Sequence, residues 1–144
     1  MSYSLRPATA DDQSTIVALI HEVGINPMSL DWPRFVVAVE DGQVIGCGQI
    51  KPHRDCRELA SIAVRPERQA QGVGSAIVWA LLARETGPLY LICRRHRQRY
   101  YERFGFARIG WSELPGSFRP LYAIGAPLTR LFPVDRRLTM MRRG

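Results

Sequence analysis

The sequence predicts an α/β fold with a mixed central sheet, and three observations lead there. Residues 57 to 75 read as a strand, a turn and a glycine-bearing loop that opens into an amphipathic helix. Leu89 to Cys93 is a short, nearly all-apolar run, read as a buried strand parallel to the first across a βαβ crossover. Asp41-Gly42 stands between two β-rich segments as a two-residue hairpin signal. Parallel and antiparallel pairings in one chain make the sheet mixed.

In order, Leu5 and its neighbours form a short strand closed by Pro7, and Thr9 caps a helix with Asp11 and Asp12 in its first turn. Ile16, Leu19, Ile20 and Val23 keep the spacing of one helical face, which Gly24 ends. Asn26 to Arg34, with Pro27, Trp32 and Pro33, is a loop or broken helix placed where a substrate lid belongs. Phe35–Glu40 and Gln43–Ile50 are the hairpin strands, and Gly46 and Gly48 mark a bulge or a close approach. After a polar break at Pro52 to Cys56, the central strand runs from Glu58 to Val64. The next helix buries Ile77, Val78, Leu81 and Leu82 and extends to Gly87. Arg94 to Arg103 contains a short helix capped at Gly105, and Ala107–Trp111 and Leu138–Met141 are the last strands. Between them, residues 112–135 are mixed: Leu121, Tyr122, Ile124, Leu128, Leu131 and Phe132 are loosely helical, with Gly125 and Pro127 interrupting.

At 144 residues the chain is expected to be one domain, 1–144, large enough to bury a core unaided. An apolar fraction of 46% with 23% charged residues argues against disorder. No run reaches membrane-spanning length, and the N-terminus lacks the apolar core of a secretion signal, so the expected compartment is the cytoplasm. Cys47, Cys56 and Cys93 have neither disulfide-framework nor metal-site spacing, and His21, His53 and His96 pair with no other ligand at metal spacing, so no metal is expected. The net charge of +7 suits nucleic acid, an anionic membrane or a polyanionic small molecule, without choosing among them.

The loop at 69–75 narrows that choice. Missing side chains at Gly72 and Gly74 let backbone N–H groups approach a ligand, and the helix start adds donors and partial positive charge. A pyrophosphate suits such a site.

These residues also carry a resemblance. Gln69-Ala70-Gln71-Gly72-Val73-Gly74 stands where the GNAT superfamily of acetyl-CoA-dependent N-acetyltransferases has Arg/Gln-x-x-Gly-x-Gly/Ala after its fourth strand. The strand Glu58–Val64 followed by Arg65-Pro66 is similar to the family's approach to that loop, and Tyr100-Tyr101-Glu102-Arg103-Phe104-Gly105-Phe106 resembles its tyrosine helix ending in Gly-Phe. The resemblance covers residues 3 to 111 and the last strand; 112–135 is an insert outside it.

The resemblance implies a GNAT fold of about six to seven strands, splayed between the fourth and fifth, with about four flanking helices. It implies acetyl-CoA as co-substrate, its pantetheine paired with the backbone of Ile62, Ala63 and Val64 and its pyrophosphate held by N–H groups of Gln69, Ala70, Gln71, Gly72, Val73, Gly74 and Ser75. Arg65 and Arg68 either reach phosphate oxygens or are solvated. Tyr101 is implied as the acid that protonates the leaving thiolate, with Tyr100 its rival and the better fit to simple packing. Glu58 is a candidate base, on a face shared with Ala60, Ile62 and Val64 if the strand alternates; an exposed carboxylate paired with Arg57 or Arg54 is the competing reading. The backbone N–H near Ile62 or Ala63 is implied as the oxyanion donor. His53, in a loop close to Glu58, is within reach of an acceptor.

Arg94 and Arg97 stand where the family commonly has an asparagine and a small residue, and with Arg95, Arg99 and Arg103 form a basic cluster suited to the CoA 3′-phosphate or an acidic acceptor. Three function classes follow: an N-acetyltransferase acting on a primary amine of a small molecule or protein by direct attack in a ternary complex, a CoA-binding module with weakened catalysis, and a basic nucleic-acid- or ribosome-associated protein. No nucleic-acid motif supports the last. Met140-Met141 and the apolar insert are candidates for a homodimer contact.

Overall fold

The structure, a computed structural model, describes residues 2–129, 131, 133 and 137–144, with the backbone alone at 121, 122, 125, 126 and 129. Its contacts divide the chain into two compact units, Met1–Lys51 with Leu59–Glu85 and Pro52–Glu58 with Thr86–Gly144.

In the first unit, β1 (Ser4–Pro7) pairs antiparallel with β2 (Phe35–Glu40), and β2 with β3 (Gln43–Pro52). Asp41 and Gly42 both take positive φ, 50° and 76°, the geometry that makes Asp-Gly a hairpin turn. A bulge follows: Ala38 faces Gly46 and Val39 faces Val44, which leaves Ile45 as the extra residue. Before α1 (Gln13–Val23), the one-turn helix Ala10–Asp12 is closed by Asp12, whose carboxylate accepts the Thr9 N–H at 2.7 Å and both terminal nitrogens of Arg6 at 2.7 and 3.1 Å. Arg6 above all, aided by Thr9, holds the Asp12 carboxyl below the usual carboxylate range. Gly24, at φ 79°, ends α1 as the sequence predicts.

Two sides of β3 are packed differently. Cys47 shares a core with Ile16, Leu19 and Ile20 of α1 and with Phe35 and Val37. Gly46 and Gly48 lie where another element comes close: a Cβ at Gly48 would stand 2.5 Å from Ile62 Cδ1 and 2.7 Å from Ile77 Cγ2, and one at Gly46 2.9 Å from Ile77 Cδ1. Ile77 belongs to α2 (Val73–Leu82). That helix stops at Leu82 rather than Gly87, because its last turn tightens to i→i+3 bonds, Arg84 N–H to Leu81 O and Glu85 N–H to Leu82 O.

In the second unit, β5 (Leu89–Arg94) pairs antiparallel with β7 (Leu138–Arg143) along six residue pairs, and β6 (Ala107–Arg108) pairs with β7. β6 is shorter than the expected Ala107–Trp111, since Gly110 turns the chain into a 3-10 turn at Trp111–Glu113. α3 (Gln98–Glu102) follows a 3-10 turn at Arg95–Arg97 and ends in a Schellman motif, with Phe106 N–H donating to Tyr101 O, Gly105 N–H to Glu102 O, and Gly105 at φ 92°. α4 (Arg119–Thr129) gives the insert a helix that runs through Pro127. The side chains of Leu121 and Tyr122 and residue Phe132, on which that expectation drew, lie outside the described residues. Leu114, Phe118 and Met140 form one core cluster of this unit, with Tyr90, Ile92 and Ile109 packed against it.

β4 (Arg57–Val64) begins in the second unit and continues in the first. The seven strands make one mixed sheet in the order β1-β2-β3-β4-β5-β7-β6. Its parallel β4–β5 ladder is one pair long, Glu58 with Tyr90. Among the described residues, no helix is long and apolar enough to cross a membrane.

Candidate functional site

The glycine loop is shaped by its own backbone. After Val64 the chain makes a 3-10 turn at Pro66–Arg68, extends through Gln69, and takes left-handed φ at Ala70 (61°) and Gly72 (88°) before α2 begins. Gly72 is the N-cap, and it offers no side-chain oxygen to the first-turn N–H groups behind it. A Cβ on Gly72 would meet nothing within 4 Å. What demands glycine within the protein is therefore φ rather than crowding, while an approaching anion would meet any side chain placed there. Gln69 Nε2 donates to Val64 O at 3.0 Å and Gln71 Nε2 to Glu67 O at 3.3 Å, so the loop's glutamines brace it from within. Gln69, Ala70, Gln71 and Gly72 are exposed and Val73 is buried, which turns the loop backbone outward on an anchored helix start.

Two sequence expectations about this unit change. Arg68 is neither solvated nor idle, because it forms an ion pair with Glu40, and Arg65 Nη1 donates to Gln43 Oε1 at 3.4 Å. These residues line a shallow recess of about 250 Å³ with Asp41, Ile45 and Glu67 that contains none of the expected catalytic residues. The alternation carried from Glu58 to Val64 is also broken, since Ser61 takes φ 59°. A left-handed residue in a strand resets which face follows. Ser61 Oγ accepts from the buried Gln49 at 2.8 Å, and Ile62 turns to Gly48 and Ile77.

The second unit holds the titratable candidates. Glu58 is 13% exposed at its side chain and lies 2.8 Å from His53 Nε2; this replaces the reading of an exposed carboxylate paired with arginine. With Glu58 ionised, Nε2 carries the hydrogen and Nδ1 remains an acceptor. The His53 ring stands edge-on to Phe118 at 5.0 Å. Asp55 fixes the same segment by accepting the Ser117 N–H at 3.1 Å and its hydroxyl. The sequence placed His53 near Glu58; its ring partner in the insert has no signal in local spacing.

Tyr101 is half-buried on α3, and burial raises its phenol above the ordinary range, with Cys93 and Tyr100 adding to the shift and Arg97 opposing it. Tyr100 packs edge-on to Phe104 at 5.3 Å, with the Arg103 guanidinium 4.4 Å over its ring. That is the packing role expected of it. Arg94 and Arg97 are exposed at the end of β5 and in the turn before α3. Burial pushes the Cys47, Cys56 and Cys93 thiols up to about 12, so none is poised as a nucleophile.

A family model described as an acetyltransferase (GNAT) domain matches residues 31–108, more than half of the chain. The chain belongs to the GNAT acetyltransferase family. No curated protein matches the sequence. Among solved structures, this GNAT chain is similar to N-acetylglutamate synthase from Neisseria gonorrhoeae in complex with coenzyme A and N-acetyl-glutamate, with a TM-score of 0.78 at 22% identity over 99% of this chain and 35% of that one. It is also similar to Rv2747 from Mycobacterium tuberculosis in complex with CoA, TM-score 0.73 at 21% identity over 97% and 98% of the two chains. A third neighbour is the ribosomal-protein-S18-alanine N-acetyltransferase of Escherichia coli, TM-score 0.69 at 18% identity over 99% and 93%. The chain spans about a third of the length of the gonococcal synthase chains it matches.

Proposed function

We propose that this GNAT domain transfers the acetyl group of acetyl-CoA to a primary amine by direct attack in a ternary complex. The observation that carries the reading is the outward-facing backbone loop ending in a left-handed glycine N-cap, Gly72, at the start of α2. N–H groups from Gln69 to Ser75 take the pyrophosphate, and the backbone of Ile62 to Val64 takes the pantetheine. Arg94 and Arg97 offer charge to further phosphate or carboxylate groups.

An ammonium acceptor has two protons to lose. The His53–Glu58 pair accepts the first, which frees the lone pair for attack on the thioester carbonyl carbon. The carbonyl π pair moves onto oxygen, where an N–H from the Ile62–Ala63 stretch stabilises it. As the intermediate collapses, the C–S bond breaks and its electron pair leaves on sulfur. Tyr101, kept protonated by burial, donates to that sulfur and is restored by the second proton of the nitrogen. The products are an amide, free CoA thiol and one released proton. Two similar structures are named for N-acetylated amino acids, glutamate in one and the alanine of a ribosomal protein in the other, which favours an α-amine.

Isothermal calorimetry with CoA and a thiol-release assay over an amine panel test the proposal. Micromolar CoA binding with amine-dependent thiol release is expected. CoA binding without release for any amine would replace the enzyme with a binding module.

A further inference from the structure

Lys51 and Gln49 are a buried polar pair that neither the core nor the reaction uses. Both lie on β3, two residues apart and so on one face, the face that carries Cys47 into the core. Lys51 is 7% exposed and Gln49 fully buried. Lys51 Nζ donates to the Met28 carbonyl at 3.0 Å, and among the described residues no carboxylate pairs with it. Gln49 Nε2 donates to Ser29 O at 3.1 Å and to Ser61 Oγ at 2.8 Å, while its Oε1 is buried with no hydrogen-bond partner among the described residues. Turning the amide over would set oxygen against the Ser29 carbonyl, so Oε1 has to be the orphan. A buried cation answered by one neutral oxygen, beside a buried acceptor answered by nothing, is a costly arrangement for a core.

The cover over the pair is a loop and not packed core. Asn26, Pro27, Met28 and Ser29 are exposed, Ser29 sits at φ 59°, and Leu30 anchors the segment. Three successive carbonyls of this loop accept side-chain donors: Met28 from Lys51, Ser29 from Gln49 and Leu30 from Gln13 at 2.5 Å. The Met28 and Ser29 carbonyls thus occupy positions that a ligand's oxygens can take.

We propose that Lys51 and Gln49 recognise the acceptor as a free α-amino acid. Lys51 Nζ takes the carboxylate in place of the Met28 carbonyl, and Gln49 Oε1 accepts an N–H of the amine. The loop from Asn26 to Asp31 opens for entry and refastens through Gln13. This inference rests on the acetyltransferase reading for its substrate, but the binding site can be judged apart from it.

The test uses the full chain loaded with CoA or acetyl-CoA, a panel of L-amino acids and the matching α-carboxamides. Amino acids are expected to raise the melting temperature of the CoA-loaded protein and to be acetylated roughly tenfold to a hundredfold better in kcat/KM than their amides. Lys51→Met should erase that preference through KM while CoA affinity stays unchanged, and Lys51→Arg should restore part of it. Amides or plain alkylamines acting as well as the acids, or an unchanged acid-to-amide ratio in Lys51→Met, would overturn the proposal. If CoA binds and no amine is acetylated, the acetyltransferase reading fails; the carboxylate-dependent melting shift and its loss in Lys51→Met still decide the site.

Discussion

The two units build their candidate sites from different materials. In the first, the loop from Gln69 to Ser75 offers backbone, shaped by Gly72 at φ 88° and braced by Gln69 and Gln71. In the second, Tyr101, Glu58 and His53 offer side chains whose setting depends on burial and on partners distant in sequence, such as Phe118. A backbone site follows from local conformation and is written in a few adjacent residues. A side-chain site follows from tertiary packing and is scattered.

That contrast is breakable by mutation, and the largest effect belongs to the loop. Gly72→Glu combines a disfavoured left-handed φ with a carboxylate at the proposed anion site, and calorimetry is expected to find CoA binding abolished; unchanged affinity would refute the loop assignment. Next comes Tyr101→Phe, for which we expect kcat to fall about 100-fold with CoA affinity intact. A matching loss of CoA affinity would mean that Tyr101 holds the cofactor rather than serving the departing thiolate. Glu58→Gln keeps an acceptor for His53 Nε2–H but removes the negative charge behind it, and kcat is expected to fall roughly tenfold to 100-fold with an altered pH–rate profile. A profile identical to wild type would remove Glu58 from the chemistry.

The smallest effect is structural. Asp12 has its folded pKa depressed by Arg6, so its contribution to stability is fully present above the ordinary carboxylate pKa and disappears as pH falls through the lower, folded value. Asp12→Asn should cost about 1 kcal/mol at neutral pH, the scale of a lost helix cap, and the difference from wild type in urea melts should vanish in acid. A constant gap across pH would show that the carboxylate charge contributes nothing.

The same division explains what could be read from the sequence. The hairpin, α1 with its Gly24 stop, β5 and the glycine loop were legible because Asp41-Gly42, the 16-19-20-23 spacing and Gln69–Gly74 are local signals. The end of α2 was missed since nothing near Ala83 breaks a helix; the last turn tightens five residues before Gly87. Period-2 alternation failed at Ser61 because serine carries no mark of a left-handed conformation. The His53–Glu58 pair was half legible, as proximity without geometry. Lys51 and Gln49 carry only a faint signal in the sequence, two polar residues at alternate positions near the end of an apolar strand.

The end of α3 also constrains how this protein can change. Tyr101 O receives N–H bonds from both Phe104 and Phe106, so one residue carries the candidate acid on its side chain and closes the helix with its main chain. The stretch from Tyr101 to Phe106 therefore works as a ruler: a single residue inserted there would undo the reversal at Gly105 and carry the phenol out of place together. Sequence drift in this stretch is limited to substitution at fixed length.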